Sequence, residues 1–424
     1  DGKVFLLNGE KLWCTNGLCA KLLVVMARHA DTNKISAIVV ECDWDGVEVA
    51  HRCHFMGLSA LQNAVMKFKD VRVPAENIIG SEGTGLRIAL TALNTGRLSI
   101  PYGVLGAAKK AYEVSSTWCK ERIQWGVPLG EHQAIGHKLG SMATTIFGME
   151  SVIELTCALA DEGKLDLRLE SAAAKEWNTS RAWDIIDDAM QIRGGRGYEK
   201  ESSLKARGER PMPVERIMRD QRVSRIFEGA SEIMHLMMAR EAVDKHLEVA
   251  GAFIDPKATL GQKLTAFPGM AAFYALWYPK TWFSLKGQIS YREMGNLAPH
   301  FRFIHRASKK LARQAFHGML IHQAGLEHKQ AFLFRWVDIA MELYVMTAAC
   351  LRAKAFEERG DTNASEAQEL AHNLCLTSRK KVDTLFRELW NHADQALDDS
   401  ASAVMKGKYS WLLDDIISLE ECEA

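Results

Sequence analysis

Val71-Arg72-Val73-Pro74, with Gly85 opening the next segment, is where the apolar period of this 424-residue chain changes. Upstream, residues 1–80 read as strands. The runs Leu22-Leu23-Val24-Val25-Met26 and Ile35-Ser36-Ala37-Ile38-Val39-Val40 flank Asp31-Thr32-Asn33-Lys34, which has the residue types of a hairpin loop. Pro74 closes the strand region, because proline has no N–H to give to a ladder. Downstream the period is helical. Val104, Ala107, Ala111, Val114 and Trp118 recur at three- and four-residue spacing, and 131–163 and 168–193 behave alike. The second of these stops at Gly194-Gly195, and another helix fits 229–249.

Residues 251–304 break this regularity with Pro256, Pro268, Pro279 and Pro299, and 266–283 is the most aromatic stretch of the chain. It is too short and too proline-broken to span a bilayer. Two readings stand: packing under the following helices, or an interfacial anchor with rings at headgroup depth. Past residue 304 long helices return. No Gly or Pro interrupts 326–359, where Leu333, Trp336, Ala340, Leu343 and Thr347 mark a buried stripe ending at Gly360, and a last helix fits 364–400. The expected fold class is α+β: a small β-domain (1–80), an antiparallel four-helix bundle (81–250), an irregular connector (251–304) and a second, C-terminal helical domain (305–424).

Composition narrows the function. The chain has 53 basic and 53 acidic side chains, which argues against a protein that binds nucleic acid by neutralising phosphates. At 47% hydrophobic and 25% charged residues it is ordinary globular material. No run of eighteen apolar residues suggests a membrane span. Nine scattered cysteines read as reduced thiols, placing the chain in a reducing compartment. The opening Asp1-Gly2-Lys3-Val4-Phe5 carries neither a signal nor a transit peptide and looks abrupt. His51-Arg52-Cys53-His54 has no second ligand pair at zinc spacing, so no metal site is expected.

Three stretches carry chemistry. In Ile226-Phe227-Glu228-Gly229-Ala230 a glutamate between apolar residues is followed by glycine. Solvated, it is an ordinary glutamate; buried, it becomes a proton acceptor, with Gly229 letting a substrate reach the backbone. In Leu7-Asn8-Gly9-Glu10-Lys11-Leu12-Trp13-Cys14-Thr15-Asn16-Gly17 the Asn-Gly pairs are turn signals, and Trp13 and Thr15 lie two apart on one strand face. They fit either a hairpin with a core Trp or an aromatic wall and hydroxyl facing a planar cofactor. Gln191-Ile192-Arg193-Gly194-Gly195-Arg196-Gly197-Tyr198 follows a helix, not a strand, so it is not a dinucleotide-fold fingerprint. Its glycines cap the helix, or let backbone amides approach a pyrophosphate.

Together these stretches resemble the acyl-CoA dehydrogenase family. Residues 5–17 are similar to its LNG-K-W-TNG strand motif, 68–80 to its F-DV-VP-NI-G passage, and Arg122-Ile123-Gln124-Trp125-Gly126 to its Arg-x-x-Phe-Gly, with Trp125 in the aromatic place. Gln191–Tyr198 resembles its Gln-x-x-Gly-Gly-x-Gly-aromatic turn, and 219–240 its RD…I-EG-S-I—AR signature. The helices past 304 resemble the extension of the very-long-chain branch.

The resemblance implies FAD-dependent α,β-dehydrogenation of a long- or very-long-chain fatty acyl-CoA to the trans-2-enoyl-CoA in fatty-acid β-oxidation. By matching positions, Glu228 would take the α-proton while the β-hydrogen passes as hydride to flavin N5. The Glu228 backbone N–H and a ribityl hydroxyl would hold the thioester carbonyl. Trp13 and Thr15 would lie against the isoalloxazine. Arg122, Trp125, Gln133, Gln191, Gly194 and Gly195 would hold the ADP half across a subunit interface, with Ala230 and Glu232 also at the cofactor. Asn94, Arg97 and Arg240 would contact the CoA part, with Gly229 also at the substrate. The branches that carry their base just before the arginine matched by Arg97 are excluded as a guide, because Gly96 cannot take a proton.

An electron-transferring flavoprotein as partner, a homodimer, and peripheral membrane contact through 266–283 also follow from the resemblance. So does a bacterial cytoplasm or mitochondrial matrix, at the inner face of the membrane. An assembly protein of the same family, like the relative that helps build respiratory complex I, and an acyl-CoA oxidase are the competing readings. The family's N-terminal helical domain and TEP-AGSD loop have no counterpart here, so a fragment that alone binds FAD poorly is expected. Ala230 replaces the usual Thr, and Leu61 and Asn63 replace a Ser and a Thr, so the flavin contacts differ in detail.

Overall fold

The computed structural model describes residues 4–163, 166–254, 258–282 and 290–414. Strands β1 (Val4–Cys14), β4 (Val47–Arg52) and β5 (Ala64–Pro74) form an antiparallel sheet with β5 in the middle. Strands β2 (Leu22–Arg28) and β3 (Ile35–Glu41) form a hairpin closed, as expected, by the loop at 31–34, where Asn33 adopts a φ of +57°. Residues of β5 point inward in alternation that shifts by one at the irregularity around Asp70, so Met66, Phe68, Val71 and Val73 pack with Val25, Ile38 and Val40. The Asn-Gly signals divide. Asn16-Gly17 makes a turn, whereas Asn8-Gly9 sits inside β1 at a register shift. There the Asn8 amide donates to Asp70 Oδ1 (3.1 Å), and Asn8 Oδ1 accepts from the Asp70 N–H (2.9 Å).

Helices α1 (Gly85–Glu121), α2 (Gln133–Asp161), α3 (Arg168–Arg193) and α7 (Ser231–Ile254) form the bundle. Between α3 and α7 come the short helices α4 (Gly195–Tyr198), α5 (Glu201–Ala206) and α6 (Val214–Gln221). Val104, Ala111 and Val114 are buried as their spacing predicts. Helix α2 is long and apolar enough to cross a membrane by composition, but half of that window is buried inside the protein, as for a core helix. It meets α1, α3 and the C-terminal helices.

The stretch expected to be an irregular connector is largely helical. Helix α8 (Leu260–Trp282) contains Pro268 and Pro279. What offsets their missing N–H groups is packing: Tyr274 and Trp277 lie 4.8 and 5.8 Å from Phe316, and His246 stacks on Tyr274. The packing reading of this stretch therefore holds for one face, while Leu264, Phe267, Leu276 and Trp282 remain exposed on the same helix. Phe283, the last residue of that stretch, lies outside the described residues.

Helices α9 (Ala298–His322), α10 (Gln330–Glu358), α11 (Ala364–Glu388) and α12 (Asp394–Met405) complete the fold. The single last helix expected over 364–400 is broken between Glu388 and Asp394. Helix α10 is buried on more than one stripe, because α2, α7, α9 and α11 surround it. One apolar core therefore runs from the bundle into the C-terminal helices. At its centre Glu342 is buried and accepts hydrogen bonds from Trp177 Nε1 (3.2 Å), Ser378 Oγ (2.7 Å) and Lys381 Nζ (2.8 Å).

Candidate active site

Glu228 lies in the turn between α6 and α7. The chain leaves α6 through a 3-10 turn at Arg222–Arg225, with the Ile226 and Phe227 N–H groups donating to Val223 O at 2.7 and 3.0 Å. Glu228 then takes a φ of +54° and Gly229 one of +107°. Glycine suits the second position because side-chain-bearing residues rarely adopt that φ, and a Cβ there would also press on the Met234 methyl, at 2.3 Å, and make it shift. Beneath the turn, Lys175 Nζ of α3 donates to Gly229 O at 2.7 Å. Arg97 of α1 faces Glu228 electrostatically; burial lowers its pKa and the Glu228 charge opposes that. Its guanidinium donates to Asn94 Oδ1 (3.1 Å) and to Met237 Sδ (3.4 Å) on α7.

The Glu228 side chain is exposed, as are Ile226 and Phe227. The apolar neighbours in sequence thus do not bury the carboxylate, because the left-handed turn carries all three residues to the surface. Of the two readings of this glutamate, the described residues show the solvated one. An open groove of about 480 Å³ runs along α1 past Gly83, Arg87, Leu90 and Asn94, and Arg97 follows one turn later. A larger concavity of about 850 Å³ lies between β1 and the β2–β3 hairpin and touches none of the candidate site residues. Ala230 and Glu232 begin α7, and Arg240 is exposed farther along it.

The tip of β1 is tied to this turn. Trp13 is 63% exposed with a φ of +56°, at a register shift between Lys11 and Cys14. The extra residue of that bulge removes Trp13 and Thr15 from a common strand face and rules out a core Trp. Thr15 falls in the turn after β1. From there Asn16 Oδ1 accepts from the Gln62 N–H (3.2 Å), the Leu58 N–H donates to Asp220 Oδ1 (2.7 Å), and Arg219 donates to Met56 O (2.9 Å). Gly57 fits against Arg219 closely enough that a Cβ would lie 2.2 Å from its carbonyl oxygen. These contacts, none of which the sequence reading anticipated, fasten the β-region to the segment that leads into Glu228.

A second cluster forms at the other end of α1. Strands β6 (Ile123–Gln124) and β7 (Val127–Pro128) are joined by Trp125-Gly126, with φ of +48° and +83°, the signs of a type I′ hairpin. Trp125 is 91% exposed and meets His132 edge-on at 5.4 Å, next to Gln133. The end of α3 comes to the same place. Trp118 carries the guanidinium groups of Arg122, Arg193 and Arg196 at 5.9, 4.7 and 5.6 Å from its ring centre. Gln191, Gly194 and Gly195 are exposed beside it, and Cβ atoms on either glycine would meet nothing within 4 Å. The structure thus brings the candidate residues together in two groups, about 40 Å apart by the rise of α1 between Asn94 and Arg122.

Comparison with known proteins accords with this geometry. Residues 1–71 match the middle domain and residues 83–243 the C-terminal domain of acyl-CoA dehydrogenases. This chain belongs to the acyl-CoA dehydrogenase family. It is 48% identical over 427 residues to a Mycobacterium tuberculosis protein named probable acyl-CoA dehydrogenase FadE10, covering 99% of this chain and 66% of that one. Against the human mitochondrial very long-chain specific acyl-CoA dehydrogenase it is 29% identical over 402 residues, covering 90% and 58%. A crystal structure of a Bacillus anthracis acyl-CoA dehydrogenase complexed with FAD aligns with a TM-score of 0.74 at 25% identity, covering 91% of this chain and 64% of that one. The chain therefore spans about two thirds or less of the length of these relatives.

Proposed function

We propose that this chain carries the catalytic base and much of the flavin site of an acyl-CoA dehydrogenase acting on long- or very-long-chain fatty acyl-CoA. The observation that carries this reading is the Glu228-Gly229 turn: a carboxylate on a left-handed backbone, pinned to the bundle by Lys175 and facing the Arg97 guanidinium of α1. The residues present suit FAD. Trp13 offers an exposed flat ring at the end of β1, and the open Gly194-Gly195 turn with Arg122 offers unhindered backbone and a cation. When bound, FAD supplies the acceptor for the β-hydrogen as hydride. Glu228 takes the proton from the α-carbon, and its backbone N–H donates to the thioester oxygen on which charge builds. Asn94 and Arg240 hold the CoA part, and the buried Arg97 keeps a positive charge facing the carboxylate. Acyl chain, flavin and surrounding protein exclude water from a base that is exposed in the chain by itself.

The distance between the two clusters is far beyond the reach of one dinucleotide, which supports a homodimer in which each copy lends its Arg122–Gln133 and Gln191–Gly195 surfaces to the other's flavin. The apolar residues exposed on α8 support peripheral membrane contact. The eight described cysteines are free, in keeping with a bacterial cytoplasm or mitochondrial matrix. An electron-transferring flavoprotein is the proposed partner. The test is anaerobic bleaching of the flavin by a series of acyl-CoAs, with Glu228→Gln alongside. Bleaching should be lost by about four orders of magnitude or more in the variant, and equal rates would move the base elsewhere.

A further inference from the structure

Lys175 is the residue of this site that the reaction as outlined leaves without a task. Its side chain is fully buried in α3, within a run from Ser171 to Thr179 that is buried on every side. An ammonium there costs desolvation, and its pKa is lowered by that burial. A methionine of similar length would fill the space without that cost but would leave Gly229 O without its donor. What Nζ reaches is a backbone oxygen, Gly229 O at 2.7 Å, immediately after the proposed base. The charges around it are Glu176 on its own helix, Arg97 on α1, and Arg225 and Glu228 on the segment between α6 and α7. On α7, His235 lies within the field of Glu176 and is engaged with Ser231 O and Asp338.

We infer that Lys175 is a positioning residue for the proton transfer: its ammonium grips Gly229 O and holds the left-handed Glu228-Gly229 turn in the orientation that aims the carboxylate. The backbone alone does not favour this turn. A φ of +54° at Glu228 is sparsely populated for a side chain of that kind, and such strain persists only where surrounding contacts over-determine it. The turn is exposed on its outer side, so the restraint comes from beneath. Of the groups beneath it, Lys175 makes the charge-assisted hydrogen bond. Lys175 touches neither the substrate nor the reacting atoms in this scheme and acts through the base.

This inference rests on Glu228 being the base, so the test reads the turn and the reaction separately, in the flavin-loaded protein. In Lys175→Met, amide exchange over 226–230 should speed up about tenfold or more, without a matching rise in the rest of α7. The flavin-reduction rate at saturating acyl-CoA should fall about 100-fold, since small misplacements of a reacting group cost that much. The acyl-CoA concentration at half-maximal rate should change less than about threefold, which separates positioning from lost binding. Lys175→Arg, which keeps a cationic donor, should recover at least about tenfold of that rate, and it provides the exchange measurement if the methionine variant does not fold. Unchanged exchange over 226–230, or a lower melting temperature with the rate per flavin-loaded molecule intact, would overturn the inference. If Glu228→Gln still bleaches normally, the base assignment fails, and exchange at the turn alone upholds or removes the grip of Lys175.

Discussion

Two glycine turns each follow a helical segment in this chain, and they are constrained in opposite ways. At Gly229, before α7, φ is +107° and the space beside Cα is already filled by Met234. At Gly194, after α3, φ is +59° and the space is empty. The first turn is gripped from below by a buried ammonium. The second stands among surface ion pairs such as Arg196–Glu209 (2.6 Å) and Arg207–Glu199 (2.7 Å), of a kind that contributes little to stability. On the proposed reading, the fixed backbone serves the proton transfer and the exposed surface serves recognition of the cofactor's far end.

Substitutions can break or sharpen that contrast. Gly229→Ala is expected to be the most damaging, combining a steric conflict with left-handed strain. It should cost about 2–3 kcal/mol in thermal melting and abolish bleaching by acyl-CoA. A variant that melts and bleaches like the parent would show that the turn adapts freely. Gly194→Ala meets no atom, so strain alone should cost about 1–2 kcal/mol, with bleaching retained once flavin is saturating. If the two alanine variants proved equal, the contrast would dissolve.

Trp125→Ala probes recognition at the far cluster without touching the core. Flavin should bind about tenfold more weakly while unfolding free energy stays within about 0.5 kcal/mol. The gentlest probe is pH. Burial pushes His235 down, but the Asp338 hydrogen bond, the Ser231 carbonyl and the Asp338 charge outweigh it, leaving the pKa raised above 6.5. A raised folded-state pKa stabilises fully below about pH 6.5, and that contribution is lost as pH rises through the folded value. Urea unfolding between pH 6 and 8.5 should therefore lose of the order of 1 kcal/mol, and Asp338→Asn should flatten the slope. A profile with the opposite sign would mean that His235 is held neutral where α7 meets α10.

Much of the architecture is legible in the residue order. The β2–β3 hairpin, the end of β5 at Pro74, the span of α3 and its stop at Gly194 all follow from local periodicity and turn chemistry. The failures share a cause: they turn on contacts between residues far apart in the chain. Prolines at 268 and 279 suggested irregular backbone, but α8 is helical because Phe316 and His246 pack against its rings. Trp13 looked like a strand-face residue, and a bulge against β5 removed it from that face. Lys175 gave no signal, since a lysine in an alanine-rich helix is by default a solvated one.

Residue order was sufficient for the family and for the division into a β-region and helical parts, because motif spacing and apolar period are local properties. It could not say which side of the Glu228 turn meets water, which cation lies beneath it, or that the candidate residues fall into two groups separated along α1. Those depend on burial and on pairs such as Lys175 with Gly229 and Leu58 with Asp220, which come into contact only when the packed core aligns its helices.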